Sequence, residues 1–93
     1  MIIGILRVSI WVPDSNSLKA KRMVLHSIKA QLRNRFNVAV TQIADEDKWQ
    51  KATLAIVGVE KTKAHMNSIL SRITDFLGGL GNFELIDHCI ELI

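Results

Sequence analysis

Two hydrophobic periods alternate along this chain, and together they lay out six elements. Residues 2–12 follow a period of two, with Leu6, Val8, Ile10 and Val12 on one side and Arg7, Ser9 and Trp11 on the other, which predicts a strand. Residues 13–17 (PDSNS) stop it and offer helix N-cap side chains. From residue 18 to about 36 the period becomes helical, and Leu18, Leu25, Ile28, Leu32 and Phe36 share a stripe. Residues 37–44 form a short β-branched strand, and Asp45, Glu46, Asp47 and Lys48 form a polar turn. Residues 52–59 form a third strand, apolar on both faces. Thr62 is placed to cap a second helix whose stripe is Met66, Ile69, Leu70, Ile73, Phe76 and Leu77. Gly78 and Gly79 should end that helix in the left-handed conformation, and residues 83–93 read as a last strand.

The order βαββαβ implies a single α+β domain over residues 1–93. Its expected form is the ferredoxin-like four-stranded antiparallel sheet with two helices on one face and strand 1 central. That topology brings the loop 13–17, the turn 45–50 and the link 78–82 to one end of the sheet.

Composition sharpens this picture in three places. The residues are 48% hydrophobic and 23% charged, as in a folded globular domain. Cys89 is the only cysteine, which excludes an internal disulfide and suits a reducing, cytoplasmic setting; beside Ile90 it reads as a small buried hydrophobe. The N-terminus lacks the basic region and cleavage site of a signal peptide, and no apolar run reaches the ~20 residues of a membrane span, so no membrane partner is expected.

Charge is distributed unevenly. Residues 1–36 hold seven basic residues against one acidic, a net of +6, whereas residues 37–93 hold five against eight, a net of −3. On helix 1, Arg22, His26, Lys29 and Arg33 fall on one stripe with Lys19 at its margin, and the helix contains no acid. Such a stripe can follow a phosphate backbone. It can equally be a solvated face whose aliphatic stems cover the core. Lys19, Lys21 and Arg22 stand in the first turn, against the helix dipole, which suggests either a bound anion or pairing with Asp45, Glu46 and Asp47. Trp11 and Trp49 approach the same end of the sheet and suit base stacking, a protein-binding hot spot, or a rim over the core. The third strand, KATLAIVGVE, carries no aromatic, which disfavours base stacking on the sheet itself.

The segments SLKAKR (17–22), FNVAV (36–40) and DKWQKA (47–52) resemble the YlxP-like family of small bacterial proteins, a domain of unknown function, and the resemblance covers the whole chain. It implies a ferredoxin-like α+β fold. Members of that family are often encoded beside translation and ribosome-maturation factors, which points towards RNA or a ribosomal particle as partner. The resemblance transfers no catalytic residue, and Gln42 stands where it leads one to expect an acid.

No enzymatic constellation emerges. His26, His65, His88 and Cys89 lack metal-ligand spacing, so neither metal nor cofactor is expected. Acylphosphatases share this fold and basicity but need a glycine-rich anion loop after strand 1, and PDSNS is not one. The sequence therefore reads as a non-enzymatic binding module for RNA or a ribonucleoprotein. The alternatives are a homo-oligomeric interaction module, resting on an odd face of strand 1 that offers Ile3, Ile5 and Trp11, or a small-ligand-binding regulatory domain.

Overall fold

A computed structural model describes residues 1–13 and 15–93; Asp14, one of the N-cap candidates the sequence offers in the first loop, lies outside them. The elements run β1 (Ile2–Trp11), α1 (Leu18–Arg35), β2 (Ala39–Ala44), β3 (Lys51–Glu60), α2 (Lys63–Gly78) and β4 (Glu84–Leu92). The strands form one antiparallel sheet in the order β2-β3-β1-β4, so β1 is central as its apolar run implies. This is the ferredoxin-like α+β arrangement.

Both helices lie on one face. Leu6, Val8, Ile10 and Val12 of the β1 segment pack with Ala52, Leu54 and Ile56 of β3 under Leu25, Ile28 and Leu32 of α1 and Met66, Leu70, Ile73 and Leu77 of α2. α1 covers the β2 side, while α2 covers β1, β3 and β4. Gly4 sets the approach of α2: a β-carbon there would stand 2.5 Å from Met66 Cγ and 2.7 Å from its sulfur, so only glycine admits the helix this closely.

The helix starts follow the sequence. Ser17 Oγ accepts from the Ala20 N–H at 3.0 Å, and Thr62 Oγ1 accepts from the His65 N–H at 3.2 Å. The end of α2 differs from expectation. Its C-cap Gly79 is right-handed at φ −92°, its N–H turning back to the carbonyls of Asp75 and Phe76, and the left-handed glycine is Gly81 at φ 84°. The helix therefore unwinds through two further residues before the chain reverses into β4.

The first loop and the 45–50 turn meet as the topology requires. The Val12 N–H donates to the Gln50 carbonyl at 2.7 Å, and Gln50 Nε2 donates to the Pro13 carbonyl at 3.1 Å. β4 opens at Glu84 opposite Trp11, which brings the α2–β4 link to the same end.

Candidate functional site

The candidate surface is built on α1, an 18-residue helix with no acidic residue in its first turn or elsewhere. Its apolar stripe turns Leu25, Ile28 and Leu32 into the core. Counting 100° per residue from that stripe places Arg22, His26 and Arg33 on the flank towards β2, and all three are exposed; Lys29 is half-buried on the same flank, and Lys19 is exposed at its margin. Lys19, Arg22, Met23 and His26 line a shallow open depression. Arg33 donates to the Val40 carbonyl at 3.0 Å, which fastens the helix to β2 and fixes one end of the row. Among the described residues, no carboxylate lies within 4 Å of Lys19, Arg22, Lys29 or Arg33.

Lys21 does not belong to this surface, and its inclusion among the anion-binding candidates is corrected here. It is 1% exposed, as buried as the leucines beside it. Its ammonium donates to the main-chain carbonyls of Asp45 (2.6 Å), Lys51 (3.1 Å) and Glu46 (3.4 Å). An ammonium has three protons to give, and three carbonyls of the 45–51 segment receive them. Burial holds the Lys21 pKa below its ordinary 10.5, an effect the carboxylates of Asp45 and Asp47 oppose. The sequence carried a signal for this. Lys21 is four, seven and eleven residues before Leu25, Ile28 and Leu32, in phase with the buried stripe rather than the basic one.

Pairing between the first-turn cations and the acidic turn thus takes another form. Lys21 meets carbonyls, and the Asp45 carboxylate meets other groups: Lys48 Nζ at 3.1 Å, Lys51 Nζ at 3.9 Å and the Thr53 hydroxyl, which donates at 3.0 Å. Hydrogen bonds from Lys48 and Thr53 hold its carboxyl below the usual aspartate range. Asp45 also takes φ 67°, a left-handed conformation that aspartate tolerates better than most residues. Lys19 and Arg22 are left on the outside of this knot.

The tryptophans are both exposed, Trp49 at 57% and Trp11 at 37%. Trp49 rides on the turn that receives Lys21, close to the start of α1, whereas Trp11 pairs with Lys51 on the sheet face away from the helices. Gln42, standing where an acid was expected, donates to the Ala44 carbonyl at 3.1 Å beside the break in the β2–β3 register.

Cys89 is also corrected: it is exposed, opposite Arg7 on the uncovered sheet face. His88 falls opposite Val8 on the other face. Among the described residues, no three His, Cys, Asp or Glu side chains gather as a metal ion would need. No helix of the described residues is long and apolar enough to cross a membrane.

Architecture and charge together define a small ferredoxin-like α+β domain with a basic helix whose exposed flank meets no carboxylate among the described residues. A family described as protein of unknown function (DUF503) matches residues 3–90, and this chain belongs to it. Uncharacterized protein YlxP of Bacillus subtilis (strain 168) is 30% identical over 83 residues, covering 89% of this chain and 90% of the relative. The resemblance read from SLKAKR and DKWQKA is borne out at the level of family and fold.

Proposed function

We propose that this protein is a non-enzymatic binding module whose α1 flank grips the phosphate backbone of RNA, free or within a ribonucleoprotein particle. The observation that carries the reading is the row Lys19, Arg22, Lys29 and Arg33 on a helix without acids, with no carboxylate within 4 Å among the described residues. Unpaired cations at fixed helical spacing are worth most against a periodic polyanion, where each contact releases condensed counterions. The exposed Met23 between Lys19, Arg22 and His26 adds an apolar floor to the start of the row.

The test is salt-dependent retention on an RNA column. Four phosphate contacts should lower log K by roughly 3 per tenfold rise in salt, at about 0.7–0.9 per contact. Arg22→Glu with Lys29→Glu should abolish retention while the circular dichroism of the folded domain is unchanged. A folded double variant retained as tightly as the parent would sink the reading.

A further inference from the structure

Among the described residues nothing covers the sheet face away from the helices, and we propose that its occupant is a second copy of this chain, packed face to face about a two-fold axis parallel to β1. This proposal is independent of the basic α1 flank.

Register fixes what the face presents. At one end lie Ile3, Ile5, Val57 and Val59, with Ile93 bonded to Ile3 through both main-chain groups at 3.0 and 2.8 Å. Arg7, Cys89 and Ala55 follow in the next row, then Ser9, Asp87 and Thr53, and finally Trp11 between Glu84 and Lys51. Val59 is 54% and Ile93 66% exposed, while their covered counterparts Leu6, Val8 and Ile56 are wholly buried. One sheet thus has a finished side and an unfinished one.

Two arguments favour a copy over another partner. The first is area. Strands about 4.8 Å apart, three of them about 30–33 Å long and β2 about 20 Å, give a face of order 550 Å². A stable interface needs about 800 Å² per partner, so the occupant must cover the whole face, rims included. A second sheet of identical length and twist does this, since aligned sheets pack at about 10 Å with interdigitated side chains.

The second argument is charge. The β4 side of the face is acidic, with Glu84, Asp87 and Glu91, whereas the β3 side carries Lys51, whose ammonium stands only loosely by Asp45 at 3.9 Å. An axis across the strands would lay β4 on β4 and set acid against acid. An axis along β1 lays each β4 on the partner's β3, opposing Glu84 of each copy to Lys51 of the other. Arg7 leans towards Glu91 on its own β4, 3.9 Å away, so the two arginines leave the axis on opposite sides. Closed two-fold pairing also prevents open-ended growth. The resulting sandwich keeps all four helices outside, with the two α1 flanks on opposite outer faces.

Sedimentation of the full chain over a concentration series tests this. The expected mass is about twice the 10.5 kDa of one chain. Ile5→Lys, with Val59→Lys as a second variant should the first fail to fold, should raise the dimer Kd at least tenfold. Glu84→Lys and Lys51→Glu should each weaken the dimer, and the double exchange should restore it. A monomer at high micromolar concentration overturns the proposal, as does an undiminished dimer of the folded lysine variants; a double exchange that restores nothing overturns the axis along β1.

Discussion

Two sides of α1 carry cations into opposite surroundings. On the inner side, Lys21 is sealed under the 45–51 segment with every proton given to a carbonyl. One residue later, Arg22 projects from the flank with no carboxylate near it among the described residues. A buried cation is tolerated only where its hydrogen-bonding capacity is met, so the inner site must be tightly built. An exposed cation has no such demand and is free to serve a partner. The count of positive charges on a helix therefore overstates its binding surface: of the six lysines and arginines of α1, Lys21 is wholly structural, and Arg33 also fastens the helix to β2.

The largest expected effect comes from breaking the inner side. Lys21→Met keeps the aliphatic bulk but withdraws three donors, leaving the carbonyls of Asp45, Glu46 and Lys51 to find water or go without. An unsatisfied buried group costs about 1–3 kcal/mol, and a turn at the surface recovers part of this by hydration, so the expected loss is about 2 kcal/mol. The same change at Arg22 should stay within about 0.5 kcal/mol, as for an ordinary surface site. Urea denaturation of the two variants checks the contrast directly. Equal stabilities would mean that Lys21 is not the strut its hydrogen bonds describe.

A smaller effect is expected at the cap that sets the phase of the helix. Ser17 Oγ receives the Ala20 N–H, and the Lys21 N–H bonds the Ser17 carbonyl at 3.2 Å. Ser17→Ala should cost about 1 kcal/mol by leaving an N-terminal donor unpaired. Because the cap positions the same turn that points Lys21 inward, Ser17→Ala and Lys21→Met should be non-additive in a double-mutant cycle. Strict additivity would show that the ammonium finds its carbonyls without help from the cap.

Much of this molecule can be read from residue order, and the exceptions have physical causes. The strands and helices follow the two hydrophobic periods, and ladder ends differ by a residue or two because termini fray. Both edge strands are irregular: β2 breaks register at Gln42–Ala44, and in β4 a register shift opposite Ser9 and Ile10 puts Ile86 out at 50% exposure. Cys89 was misplaced on cysteine's general preference for burial, although Asp87 and Glu91, two residues to either side, already marked its face as the polar one. The burial of Lys21 is hidden from the sequence for a deeper reason. Lysine is almost never buried unless its charge is met, and the groups that meet it are main-chain carbonyls 24 to 30 residues away. Every residue has a carbonyl, so no residue type announces that partner. The uncovered sheet face was legible only as an alternation on β1; its rows across four strands required the register.

The smallest expected effect separates the two roles of the turn that receives Lys21. Asp45 contributes its carbonyl to the ammonium and its carboxylate to Lys48 and Thr53. Asp45→Asn keeps the carbonyl and the tolerance for φ 67°, and removes only the charge. The carboxyl pKa is lower folded than its ordinary 3.8, so above that value the folded state holds the carboxylate in the more favourable setting. As pH falls from 3.8 through the depressed folded value, the unfolded chain takes up the proton first and this contribution is lost. The stability gap between parent and Asp45→Asn should therefore be level above about pH 5 and close progressively below it. The pairs involve exposed lysines, so the gap should also shrink in salt. Thermal unfolding at matched ionic strength from pH 3 to 7 measures it. A gap that does not narrow in acid would mean that the carboxylate adds nothing and that the carbonyl cage alone holds the turn to α1.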